Sequence, residues 1–178
     1  KAKTEAVEQA KKTYDTSRTS FCGDATVYVS ALDRYSKLFT ESTATVGDVR
    51  SLGSDLERPR SNVMSSAQDA VDANTALVES QASLAKARLT WIIKAGSSTT
   101  EPPSTTSTTT TLLPAATVDR IKAEESGLET ALGSITDQTP LIQAGQQVNA
   151  AAFALQAAWM RVLAEGGCLT NEQAVQAE

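Results

Sequence analysis

With 178 residues, 40% apolar but only 4% aromatic, the chain has the composition of one thin-cored helical domain, because sandwiches and Rossmann-type sheets draw on more Val, Ile and aromatic side chains. A net charge of −5, with Lys and Arg dispersed among acids, argues against a nucleic-acid partner, which needs a basic face or stripe. Histidine is absent, which removes the commonest general base and a principal metal ligand.

In chain order, Lys3 to about Ser17 reads as a polar helix with Val7, Ala10 and Tyr14 on one face. Its basic residues Lys1, Lys3, Lys11 and Lys12 suit a solvated helix surface, and this segment is expected to be the least ordered. Asp24 to Phe39 reads as a second short helix with Val27, Ala31, Tyr35 and Leu38 on one stripe. Gly23 and Gly47 bracket it.

From about residue 46 to Gly96 the pattern strengthens. Leu56, Val63, Ala70, Leu77, Leu84 and Trp91 recur every seven residues, accompanied by Met64, Val71, Val78, Ala85 and Ile92. Such a repeat marks helices packed at shallow crossing angles. Asp48 and Ser51 suit a helix start and Gly96 a stop. Whether residues 46–58 form a separate helix is left open.

Between Ser97 and Thr111, twelve of fifteen residues are Ser or Thr. Residues 97–116 are therefore expected to be a disordered loop at the tip of a hairpin, too poor in apolar groups to offset the entropy of ordering. Thr105, Thr106, Thr108, Thr109 and Thr110 are candidate O-glycosylation sites, since Ser/Thr-plus-Pro stalks often carry O-linked sugar. A bare linker is the equal alternative. None of the four asparagines has Ser or Thr two residues later, so N-linked sugar is not expected.

The second long arm is expected to open at Thr117 as N-cap and to end at Gly166-Gly167. Ile121, Leu128, Ile135 and Ile142 keep the seven-residue period, which continues through Asn149 and Gln156 to Leu163. Companions are Leu132, Ala152, Phe153, Trp159 and Met160. Pro59 and Pro140 should each kink or split their helix. The fold class is all-α: a small helical bundle, built on a long, coiled-coil-like antiparallel helical hairpin. One or two shorter N-terminal helices pack on it, the second of them across the end that carries Cys168. The 178 residues form one domain, and each hairpin arm would run ~75 Å.

Cys22 and Cys168 are the two cysteines. Two thiols without histidine leave a zinc site short of ligands. The Ser/Thr/Pro tract is typical of exported chains, whose compartment lets disulfides persist, so a Cys22–Cys168 bond is favoured over two buried thiols.

No G-x-S-x-G elbow, phosphate loop or dinucleotide fingerprint is present, and E-x-x-H di-iron pairs need histidine. Glu124-Glu125 reads as a helix-start feature stabilised by the macrodipole. No catalytic, cofactor-binding or metal-binding residue is assigned, no cofactor is expected, and the chain is read as a non-enzyme. No apolar run reaches the ~18 residues of a membrane span. Asn74, Gln81, Asn149 and Gln156 fall on the apolar seams, where polar residues set register; the alternative is a polar gap lining a small-ligand channel. With Trp91 facing about Ile121, Asn74 and Gln81 would lie opposite residues 131–138. Trp91, Ile92, Ile93, Leu112 and Leu113 are expected to cap the hairpin core, the alternative being an exposed patch for a partner or lipid surface. Trp159 and Met160 are expected to be core beneath the disulfide.

Several runs carry a resemblance. They are Val46-Gly-Asp-Val-Arg-Ser51 with Ser65-Ser-Ala-Gln-Asp-Ala-Val-Asp72, Leu112-Leu-Pro-Ala-Ala-Thr-Val-Asp119, and Ile135-Thr-Asp-Gln-Thr-Pro140 with Asn149-Ala-Ala-Ala-Phe153. Together they resemble the N-terminal helical region of exported actinobacterial proteins that carry a small peptidoglycan-binding module further along. The similar stretch covers roughly residues 24–170 and holds no catalytic or ligand motif. The resemblance implies that this region is the spacer or display part and not the glycan-binding part. The expectation is a secreted or cell-envelope structural module that spaces, displays or assembles, with a protein or cell-wall partner or a second copy of itself. The alternative is a helical carrier holding a small apolar ligand between its helices.

Overall fold

The computed structural model describes residues 1–38, 45–94, 115–136 and 138–169. Among them are four α-helices and no strand: α1 (Ala2–Leu38), α2 (Val46–Lys94), α3 (Ala115–Gly133) and α4 (Leu141–Glu165). The chain is a small all-α bundle.

The N-terminal region is one helix where the sequence suggested two. Tyr14, Phe21, Tyr28 and Tyr35 follow at seven-residue intervals, and none is more than 1% exposed. This aromatic row carries α1 straight through Gly23. A Cβ at Gly23 would meet nothing within 4 Å, so the glycine serves no close approach. Its cost of about 1 kcal/mol against Ala is small beside the burial of its aromatic neighbours. The core stripe runs through Tyr28 and Leu32, and Val27, expected to be inside, is exposed.

α1 and α2 form the long antiparallel hairpin. Lys3 Nζ donates to Ser83 Oγ at 2.7 Å, and Tyr14 shares a buried cluster with Ala73 and Leu77. Further along, Phe21, Tyr28 and Tyr35 join Leu56, Val63, Ala67 and Ala70 in the main core. The arms of the hairpin are therefore α1 and α2, in place of residues 46–96 and 117–166.

The physical reason lies at Pro140. Between α3 and α4 the chain turns where a short hydroxyl side chain satisfies the backbone, Thr136 N–H donating to Thr139 Oγ1 at 2.9 Å, and α4 then opens with the backbone bond from Ala144 N–H to the Pro140 carbonyl. Pro140 sits at the N-cap of α4, and α4 folds back antiparallel on α3. The heptad series consequently stops at Ile135; Ile142 is exposed. Thr117 is not a cap but a buried residue inside α3. The expected end is found, with α4 closing at Glu165 and Gly166 as its C-cap.

Pro59 behaves differently. It lies inside α2, which runs unbroken, so residues 46–58 are continuous with the rest. Leu56 and Val63, buried either side of it, hold both halves of the helix to the same core and outweigh the ~3 kcal/mol penalty of an interior proline. At the start of α2, Asp48 Oδ2 accepts from Thr45 N–H at 2.8 Å while Thr45 Oγ1 accepts from Asp48 N–H at 3.2 Å. This reciprocal cap holds the Asp48 carboxyl below its usual range through the bonds from Thr45.

The result is a four-helix head and a two-helix arm. The head unites the second half of α1, the first half of α2, α3 and α4 around one core. The arm is the remainder of the α1–α2 pair, with a core of Tyr14, Ala73 and Leu77 flanked by Val7 and Ala10. Past Ser83, α2 continues for about three turns beyond the start of α1. Gly96, most of the 97–116 tract with its five candidate threonines, Leu112, Leu113 and Asp137 lie outside the described residues; Ala115 and Ala116 open α3.

Candidate functional site

Cys22 and Cys168 form a disulfide, with Cα atoms 5.3 Å apart. It joins the middle of α1 to the segment following α4, and does not sit at an open end of the hairpin. One turn earlier on α1, Arg18 donates from Nε to the Gly166 carbonyl at 2.8 Å and from its terminal nitrogen to the Gly167 carbonyl. A guanidinium thus satisfies carbonyls just past the C-terminus of α4. Gly167 has a positive φ of 63°, and a Cβ on Gly166 would press the Val162 carbonyl at 3.1 Å. Both glycines are needed to bring Cys168 back against Phe21 and Cys22.

Above this clip lies the polar centre of the head. Trp159 is buried against Phe21, with ring centroids 6.2 Å apart, and edge-on to Tyr28 at 5.8 Å. It forms core beside the disulfide, as expected. Its Nε1 donates to Glu125 Oε1 at 3.2 Å, and the Tyr28 hydroxyl donates to Glu125 Oε2 at 2.9 Å. Arg60 Nε lies 3.0 Å from the same Oε2 and also bridges Glu129. Glu125 is 2% exposed. Burial raises its carboxyl above the ordinary range, against the opposing pull of the Tyr28 and Trp159 bonds and the Arg60 charge. The Tyr28 phenol is pushed well above its usual value, chiefly by burial and then by Glu125, so it stays a donor.

Glu125 corrects the sequence reading. It is not at a helix mouth but near the centre of α3, and it occupies a place in the apolar row Val118, Ile121, Leu128, Ile135. A lone acid on an apolar stripe was the available signal, obscured by its neighbour Glu124, which is exposed. Of the four seam amides, Gln81 is exposed. Asn74 and Asn149 each bury a side-chain oxygen with no hydrogen-bond partner among the described residues. The facing of 74 and 81 with residues 131–138 does not occur, because that part of α2 pairs with the start of α1.

Between α2 and α3, a cleft of about 340 Å³ opens over this centre. Tyr28 and Glu125 line it together with apolar Leu56, Leu128, Leu132 and Ile135, and Glu57, Arg60 and Glu129 supply its charged residues. A larger depression of about 520 Å³ along the surface of α1 is lined by that helix alone, so no second element closes it. Among the described residues no cluster of three His, Cys, Asp or Glu side chains could hold a metal ion, and no helix is long and apolar enough to cross a membrane.

At the other extreme, the end of α2 does not cap a core. Leu89, Trp91 and Ile93 are 55%, 70% and 80% exposed. Comparison with family models, with curated proteins and with solved structures returns no match.

Proposed function

We propose that this chain is an extracellular or cell-envelope module that spaces or displays, without catalysis of its own. The carrying observation is the division of one helix pair into a four-helix head and a projecting two-helix arm. A disulfide of 146-residue span in the head fits an oxidising compartment. From Arg60, beside the buried carboxylate, to Ile93 at the arm's end is about 50 Å at 1.5 Å per residue. The resemblance to exported wall-associated chains points the same way, with the arm holding its end away from an anchored head.

The test is to label the head and residue 93 for distance measurement by energy transfer, then delete one matched heptad from residues 4–13 and 74–83. The separation should fall by about 10 Å with the fold retained, and display in the native host should change with it. Substituting an exposed carboxylate such as Glu124 should leave display intact. An unchanged separation, or display abolished by that single carboxylate, overturns the spacer reading.

A second reading has its own support. The α2–α3 cleft has apolar walls, a charged rim and the lower end of the volume range of ligand sites, which suits a carrier of a small apolar molecule. Gly53 faces Leu132 across it, so Gly53→Leu should fill the cleft and abolish uptake of an environment-sensitive apolar dye. Dye uptake unaffected by that change removes this reading.

A further inference from the structure

We infer that the last turns of α2, at the far end of the arm, are a docking surface for an anionic lipid bilayer, engaged from one side without being spanned. The inference takes the arm as a spacer, as proposed above, and names what its end meets.

Three consecutive apolar residues, Trp91, Ile92 and Ile93, wrap the last turn of α2, because successive helical side chains point about 100° apart. Leu89 lies one turn before Ile93 on the same side. Leu89, Trp91 and Ile93 are more than half exposed, and they lie beyond Ser83, which accepts from Lys3 on α1. Such a concentration of large apolar surface on a soluble face marks an interaction site.

Charge selects the occupant. From Ser80 to Lys94 the helix holds Lys86, Arg88 and Lys94 and no acid, and Lys1 and Lys3 lie at the start of the paired helix, in a chain whose net charge is −5. Apolar side chains interleaved with cations, and a tryptophan among them, match the boundary between acyl chains and anionic headgroups. Aliphatic Leu89 and Ile93 offer nothing to nucleic-acid phosphates. Of the other exposed large apolar residues, Val27 and Val78 stand singly, and Val78 is followed by the acid Glu79. Ile142 and Phe153 lie on α4, whose one basic residue is Arg161.

The experiment is flotation of the intact chain with vesicles of phosphatidylcholine alone, and of phosphatidylcholine mixed with an equal part of phosphatidylglycerol. Tryptophan emission is read in parallel. The chain should float with the mixed vesicles only, and less at high salt. Its emission should shift to shorter wavelength, a shift absent in Trp91→Phe because Trp159 is already buried. Neutralising Lys86, Arg88 and Lys94 together to Gln should weaken binding about 100-fold, at about fivefold per basic residue near an anionic surface. Trp91→Ser with Ile93→Ser should abolish it, with helicity and the disulfide unchanged in both variants. No flotation, flotation insensitive to these variants, tighter binding to duplex DNA, or lipid-free dimers dissolved by Trp91→Ser would each overturn the inference. The heptad-deletion distances are read without lipid, so the spacer reading survives or fails separately.

Discussion

The two ends of the α1–α2 pair obey the same seven-residue rule and bury very different amounts of it. In the head, Phe21, Tyr28 and Tyr35 face Val63 and Ala67 with two further helices closing over them. In the arm, among the described residues, Tyr14 meets Ala73 and Leu77 with only Val7 and Ala10 beside them, and Asn74 buries a side-chain oxygen with no hydrogen-bond partner. A heptad seam therefore specifies pairing but not burial. What distinguishes the ends is how many helices share the seam, and only the head is closed by a covalent bond.

That contrast can be broken most forcefully at the disulfide. Replacing Cys22 and Cys168 by Ser frees a 146-residue loop, and chain entropy sets the loss at about 5 kcal/mol at most. Thermal unfolding should show the head transition falling steeply. A melting temperature equal to that of the parent would mean the head core is sufficient by itself.

Core truncations sharpen the difference. Trp159→Ala should destabilise by about 3–5 kcal/mol and unfold the head as a unit, since it removes both an aromatic contact and a donor to Glu125. Leu77→Ala should cost about 2–3 kcal/mol, and hydrogen exchange should then rise in residues 2–17 and 71–94 while the head stays protected. Equal loss of protection in both regions would show that arm and head form one cooperative unit.

The smallest expected effect is electrostatic and confined to the head. Glu125 has its folded-state pKa raised by burial, so the protonated form is favoured by folding. Its contribution is fully present below the unfolded carboxyl pKa and is lost as pH rises through the raised folded value. Glu125→Gln removes that titration and should flatten the decline in stability across this window, as read by denaturant midpoints over a pH series. A parallel slope in parent and variant would show that the Arg60 contact compensates burial completely.

Much of this was legible in the sequence. The all-helical class and the exit at Gly166-Gly167 follow from composition and glycine geometry, and the disulfide was the expected pairing of the two cysteines. The heptads of α2 were legible too, but a heptad seam is silent about which helix fills it. The decisive evidence lay in the Tyr14, Phe21, Tyr28, Tyr35 row, which Gly23 disguised as two separate segments. Pro59 and Pro140 look alike as letters. They differ because Pro140 follows hydroxyl side chains able to cap a turn, whereas Pro59 is flanked by residues anchored in one core. Glu125 was hidden because a charge on an apolar stripe is affordable only with donors from three other helices, Tyr28, Arg60 and Trp159, and no local pattern announces them.

The Cys22–Cys168 bond also divides the molecule topologically. Residues 22–168 form a covalent ring, and α2, α3 and α4 lie wholly within it. A single proteolytic cut anywhere between those cysteines opens the ring without releasing a fragment, so a nick in the Ser/Thr tract leaves one molecule of unchanged mass apart from an added water. The first twenty-one residues lie outside the ring. One side of the arm therefore belongs to the loop and the other does not: Tyr14 of α1, outside the ring, packs on Ala73 and Leu77, inside it.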